Sequence, residues 1–165
     1  MKNLQTLGEL PFDTLLLADG GKRLIAVAAL LPFYDVDPQK VKILGTGQWD
    51  EQGLGAEPAL IGGWFAAPDP AVRQAFSDKY LNAYGNRPHR LATLAYDATA
   101  LSVVLGAQDT PQPFMAEVLA KTGGFAGRDG IFRFPEDGAA ERGLAVMQVR
   151  RKDAQVIDPA PQVFP

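Results

Sequence analysis

The chain has 165 residues, 47% of them hydrophobic, with 16 Lys and Arg against 19 Asp and Glu for a net charge of -3. That is long and apolar enough to bury one proper core, and it carries no basic stripe of the kind a phosphate backbone demands, so no nucleic-acid partner is expected. With no cysteine and a single histidine, His89, disulfides, thiolate catalysis and Cys-based or multi-histidine metal centres are excluded, and no cofactor is expected.

No run approaches the roughly 20 apolar residues of a membrane span. The N-terminus, MKNLQTLGEL, has no signal-peptide pattern, so an exported parent protein would begin upstream of it. Phe12 to Ala18 is an apolar run between Pro11 and Asp19-Gly20-Gly21 and predicts a strand buried on both faces. Leu24, Ile25, Ala28 and Leu31 recur at helical spacing and predict a helix over Lys22 to Pro32. Its preceding loop would aim free backbone N–H groups above the strand's C-terminal end. Val41 to Leu44 reads as a second strand that ends in Gly45-Thr46-Gly47-Gln48-Trp49-Asp50. Ala56 to Leu60 reads as a helical turn and Gly62 to Ala67 as a third strand.

Asp69 before Pro70 is a helix start, with the aspartate as N-cap and the proline at the first helical position. That helix carries Val72, Phe76, Tyr80 and Ala83 on one stripe and closes at Gly85. Ala92 to Leu105 predicts a helix that is apolar on nearly every side and hence buried, with Asp97 as a carboxylate in need of a partner. A further helix is expected over Gln112 to Thr122. Ile131 to Phe134 and Leu144 to Arg150 then predict an antiparallel pair joined through Pro135 to Gly138, with Gln155 to Ile157 as a short third strand. The end, DPAPQVFP, reads as a tail.

Strands alternating with helices argue a mostly parallel α/β sheet flanked by helices, with a C-terminal antiparallel hairpin. Residues 1–158 are expected to form a single lobe and 159–165 a proline-rich tail. Ligands of such sheets sit at the strands' C-terminal ends, here Asp19-Gly20-Gly21 and Gly45 to Asp50. Gly45-x-Gly47 lacks the third, helix-opening glycine of a dinucleotide fingerprint, and Asp19-Gly20-Gly21-Lys22 lacks the spacing of a phosphate loop. Trp49 fits equally as the wall of a pocket and as a cap on the core edge. Ser77, Ser102, His89 and scattered carboxylates form no recognisable catalytic set, so no enzyme is expected, and a small α/β hydrolase is the reading an esterase screen would test.

The assembled stretches resemble a known family. Phe76 to Pro88 (FSDKYLNAYGNRP) with Leu94-Ala95-Tyr96-Asp97-Ala98, and Gly124 to Gly138 (GFAGRDGIFRFPEDG), resemble the second half of a type I periplasmic solute-binding protein of the leucine/isoleucine/valine-binding family. Leu44 to Trp49 with Gly63 to Pro68 resembles a branch of lipoproteins related to penicillin-binding protein activators. The resemblance implies a bilobed, non-catalytic binder whose ligand lies in an interlobe cleft, this chain supplying mainly one lobe without the strand and helix that should precede Phe12. Cleft-facing positions by analogy are Asp19 and Gly20, then Gln48, Trp49 and Asp50, then Tyr96 and Asp97. Asp97 reads more as a structural anchor in the first turns of its helix and Tyr96 more as a ligand contact.

The implied ligand is a small polar solute, an amino acid or amide among the candidates, and the implied partner an ABC permease. The alternative is an outer-membrane lipoprotein domain that contacts a penicillin-binding protein and regulates peptidoglycan synthesis. Either places the parent protein in the periplasm or on the outer membrane, and apolar surface left uncovered on a single lobe makes a homodimer an expected state.

Overall fold

A computed structural model describes residues 10–109, 111–120 and 122–164; all of the N-terminal segment but Leu10 lies outside them. The elements follow in chain order: β1 (Thr14–Leu17), α1 (Gly21–Ala28), β2 (Lys42–Gly45), β3 (Trp64–Ala67), α2 (Pro70–Tyr84), α3 (Ala92–Gly106), α4 (Ala116–Leu119), β4 (Phe125–Gly127), β5 (Gly130–Arg133), β6 (Glu141–Arg142), β7 (Ala145–Val149) and β8 (Ala154–Asp158). The chain divides into two compact units, residues 1–67 with 146–158, and residues 68–145 with 159–165.

The first unit is built on a mostly parallel five-stranded sheet in the order β1-β2-β3-β7-β8. β1 and β2 run parallel from Thr14 beside Lys42 to Leu17 beside Gly45, and β3 continues the parallel set with Leu44 beside Trp64. β7 alternates strictly, burying Ala145, Met147 and Val149, the period of two that fits one covered face. It pairs antiparallel with β8, Val149 facing Ala154, which is the C-terminal hairpin. Leu24 and Ala28 of α1, with Ile43, Leu60 and Phe65, complete the core.

Trp49 is the largest buried side chain of this unit. Its indole N–H donates to the carbonyl of Leu17 at 3.2 Å, its ring packs 6.1 Å from that of Phe65, and it lies flat against Gly45, where any Cβ would collide with the indole. The strand must therefore end in a glycine for the ring to close over it.

The second unit holds α2, α3, α4 and a three-stranded antiparallel sheet, β4-β5-β6. α2 starts and stops as its sequence dictates. The Asp69 carboxylate accepts from the Ala71 N–H at 2.8 Å, Pro70 opens the first turn, and Gly85 closes the last at φ 73°, where only glycine is free of strain.

Several expectations are corrected. β1 is not buried on both faces: Leu16 is 59% exposed, because β1 stands at the edge of the described sheet. α1 ends at Ala28, four residues before Pro32, whose ring would strike the Ala28 carbonyl in a continuing helix; Leu31–Tyr34 forms a separate 3-10 turn. Among the described residues between Gln112 and Thr122 only the four-residue α4 is helical, because Gln112 precedes Pro113 and is biased to extended backbone, and Met115 is itself extended at ψ 152°.

The strand at Ile131 does not pair with β7. The turn closed by Gly138 N–H on the Pro135 carbonyl delivers β6 instead, with Phe132 beside Arg142. α3 is not a buried helix: only Thr93, Asp97 and Leu105 are buried, while Val103 and Val104 are 66% and 60% exposed. An apolar helix in a small unit buries only the stripe that meets its neighbours, and apolar atoms make up much of any protein's surface. The tail is tied to its unit through Phe164, whose ring lies under the Arg133 guanidinium at 4.4 Å.

The packing of Trp49 on Gly45 is testable. Gly45→Ala should cost about 1–3 kcal/mol by overpacking, about 2–4 °C of melting temperature per kcal/mol for a chain of this size. Gly47→Ala, whose Cβ would meet nothing nearer than the Ala66 carbonyl at 3.6 Å, should stay close to the parent in the same thermal melt.

Candidate functional site

In the first unit the loops after β1 and β2 converge. The Asp19 carboxylate accepts from the Gly20 N–H at 3.0 Å, holding the turn into α1. A Cβ on Gly20 would lie 2.9 Å from the Gln48 Cβ and 3.0 Å from its carbonyl oxygen, so the two strand-end loops touch only because position 20 has no side chain. Thr46 caps the following 3-10 turn by accepting from the Gln48 N–H at 3.3 Å.

Gln48 is exposed, Asp19, Gly20 and Asp50 are half-buried, and Trp49 is fully buried. Asp19, Gly20 and Gln48 thus share one surface, whereas the Trp49 indole is spent on the Leu17 carbonyl and Gly45. Of its two readings, the core cap describes the observed packing.

Beside these loops lies a hollow of about 370 Å³ lined by Gly21, Lys22, Ile25, Glu51, Gln52 and Leu54, with Gly53. It sets an ammonium and a carboxylate on one small surface at the start of α1. Lys22, Glu51 and Gln52 line this candidate site and were not singled out as binding positions from the sequence. The signal was their position immediately after Gly20-Gly21 and Asp50 at the C-terminal ends of parallel strands.

The second unit holds Tyr96 and Asp97 on α3. Asp97 is 4% exposed, and its carboxylate accepts the Arg128 backbone N–H through both oxygens, at 2.8 and 2.9 Å. This answers the need for a partner: the anion is compensated by an oriented backbone donor in the tight turn between β4 and β5. Gly127 precedes that donor, and any Cβ there would collide with the carboxylate. Next to it Asp129, 2% exposed, accepts from the Thr93 hydroxyl at 2.8 Å and faces the Arg90 guanidinium at 3.6 Å. Two buried carboxylates therefore pin one turn to one face of α3.

Tyr96 points the other way and is 41% exposed. The Arg128 guanidinium stands 5.4 Å from its ring centroid, and by hydrogen bonding and then by charge it holds the phenol below its usual pKa; Lys79 adds to the effect, while slight burial and the Asp97 charge oppose it. Of the chemically suspect side chains, Ser102 donates to the Ala98 carbonyl at 2.8 Å, and the His89 Nδ1 accepts from the Leu91 N–H at 3.2 Å.

Two measurements check this geometry. Asp97→Ala should cost about 1–3 kcal/mol in denaturant unfolding, the penalty for leaving a buried donor unmade, and Asp97→Asn, which keeps one acceptor oxygen, should cost less. In a spectrophotometric titration one of the four tyrosines should ionise below the ordinary value of about 10, and Arg128→Gln should return it toward that value.

With the geometry in hand, the chain can be set beside known proteins. A family model described as periplasmic binding protein matches residues 9–155. No curated protein matches the chain. Among solved structures, a protein from Rhodospirillum rubrum, provisionally described as a branched-chain amino acid ABC transporter, superposes with a TM-score of 0.66 at 22% identity, over 88% of this chain and 44% of that one. The branched-chain amino acid transporter substrate-binding protein LivJ from Streptococcus pneumoniae, in complex with isoleucine, gives 0.57 at 20% identity over 93% and 47%.

A solute-binding protein of an ABC transporter from R. palustris, in complex with benzoate, gives 0.55 at 19% over 92% and 44%. At these identities the likeness is one of fold, and the chain spans less than half the length of each of these relatives. The family match nevertheless covers most of the sequence and agrees with the resemblance carried by Tyr84 to Pro88, Tyr96-Asp97 and the Gly124 to Gly138 segment. The chain belongs to the periplasmic binding protein family and carries the type I fold.

Proposed function

We propose that the chain is a non-catalytic solute-binding lobe of a periplasmic transport protein, recognising a small polar molecule and delivering it to an ABC permease. The observation that carries this reading is the convergence of the β1 and β2 loops, Gly20 against Gln48, beside the hollow that holds Lys22 and Glu51. The C-terminal ends of parallel strands are where α/β sheets hold ligands, and a hollow with one ammonium, one carboxylate and a carboxamide suits a solute bearing both charges, such as an amino acid or its amide.

In this reading Asp19, Gly20, Gln48 and Asp50 face the ligand on one unit. Trp49 supports them through its backbone and packing. Within the other unit, Tyr96 is read as the contact for a solute held there, with Asp97 anchoring the turn whose Arg128 lies beside it. The family supports a periplasmic location, and the resemblance to bilobed binders supports a cleft whose opposite wall comes from a second lobe.

A second reading is favoured by one surface. Phe33 and Tyr34 stack edge-to-face at 5.2 Å yet are 69% and 51% exposed, with Val27 and Leu30 exposed beside them. Such a patch suits contact with another protein, either a penicillin-binding protein in the activator reading or a second copy of this chain. Retention of wall synthases on the immobilised chain, lost in Phe33→Ala, would favour the activator.

Calorimetric titration of the folded protein against amino acids, their amides and small carboxylates tests the leading reading. Heat is expected for at least one solute, with affinity reduced tenfold or more by Glu51→Gln or Lys22→Gln. A folded protein that gives no heat with any member of the panel would remove it.

A further inference from the structure

Between α2 and α3, within the helix-rich unit, lies a hollow of about 290 Å³ whose larger lining side chains are Phe76, Lys79, Tyr80, Tyr84, Tyr96 and Arg128. The rings form a connected set. Phe76 meets Tyr96 edge-on at 5.5 Å and Tyr80 at 6.2 Å, and Tyr80 meets Tyr84 at 4.6 Å. No carboxylate lines the hollow. Among the described residues neither Lys79 nor Arg128 is in ion-pair contact with one. The nearby acids are otherwise engaged, Asp78 with the Gln74 amide at 2.7 Å and Asp97 with the Arg128 N–H.

Arg128 is also unusually well placed for a surface arginine. Its backbone is anchored by the buried Asp97, and its guanidinium rests on Tyr96, so little freedom is lost when its fork meets a ligand.

Two uncompensated cations beside four aromatic rings define a chemistry. A carboxylate can take the planar fork of a guanidinium in two parallel hydrogen bonds, with Lys79 as a second, mobile charge, while a flat apolar body finds offset and edge-on partners among the rings. The depressed ionisation of Tyr96 reports the same positive field. From this we infer that the hollow between α2 and α3 binds an aromatic monocarboxylate, its carboxylate on Arg128 and Lys79 and its ring among Phe76, Tyr80 and Tyr96. The inference rests on the solute-binding reading in taking Tyr96 as a ligand contact, and it supplies the ligand class for that residue.

The probes are benzoate, the neutral benzamide of the same shape, cyclohexanecarboxylate with the charge but no π face, and inorganic phosphate, each titrated calorimetrically into the whole chain. Benzoate should bind tightest, benzamide tenfold or more weaker, and cyclohexanecarboxylate severalfold weaker. Arg128→Gln, which keeps the backbone N–H that Asp97 needs, and Lys79→Gln should each weaken benzoate about tenfold with unchanged circular dichroism. The charged groups facing the Tyr96 phenol are Arg128, Lys79 and Asp97, so a bound carboxylate should raise its ionisation back toward the ordinary tyrosine range.

Benzamide binding as well as benzoate, phosphate binding as well as benzoate, or benzoate indifferent to Arg128→Gln would each overturn the inference. Should an amino acid bind in a manner sensitive to Glu51→Gln while benzoate does not bind, this inference falls and the solute-binding reading stands. Should no solute of either panel bind the folded chain, both fall.

Discussion

The second unit depends on one interaction, the acceptance of the Arg128 backbone N–H by both oxygens of the buried Asp97. A carboxylate so enclosed costs several kcal/mol unless it is met by donors, and here the donor is a main-chain group that no substitution at position 128 except proline can remove. Three consequences follow from that pairing. Position 127 must be glycine, because the carboxylate occupies the space of a side chain. The hairpin β4-β5 is fixed to α3, reinforced one residue on by Asp129 against Thr93. Finally, the Arg128 side chain, its root immobilised, is laid on the open face of α3 over Tyr96. The same aspartate therefore does structural work on one side of the helix and sets the electrostatics of a hollow on the other.

Much of this was legible in the chain. Asp69-Pro70 and Gly85 gave both ends of α2, since capping acts within a few residues and leaves a local trace. The glycine-ended strands marked where the β1 and β2 loops meet. The need of Asp97 for a partner was legible as well, but the partner was not, because a backbone N–H 31 residues away leaves no mark on composition. Helix boundaries failed at prolines, Pro32 acting on Ala28 four residues earlier and Pro113 on its neighbour Gln112. The burial of α3 failed for another reason: periodicity reports which residues are apolar, and burial depends on what stands opposite. Lys79 and Arg128 carry no motif and meet only through the placement of α2 beside the hairpin turn.

The two units offer different chemistries on a fold that by itself decides neither. Type I binding folds serve ligands as unlike as isoleucine and benzoate in the relatives described above, and function resides in the side chains mounted on the fold. The Lys22 and Glu51 hollow sets opposite charges on one small surface, whereas the Tyr96 hollow is aromatic and purely cationic. On the proposed readings, specificity in each would arise from the charges left without a partner among the described residues, because those are the groups a ligand can compensate at least cost in desolvation.

The place of β7 has a consequence for how the molecule is made. The five-stranded sheet seats β7 beside β3, yet all of residues 68–144 lies between them in sequence. On a ribosome, where N-terminal parts fold first, β1, β2 and β3 emerge as an incomplete sheet whose β3 edge stays open throughout synthesis of the intervening unit. That edge exposes unpaired backbone groups, the kind of surface that recruits chaperones or a second chain. Completion waits for β7 and β8, and the closing contact is a long-range one whose loop entropy is moderated by the compactness of the inserted unit. The strands made before the intervening unit are therefore secured only after it.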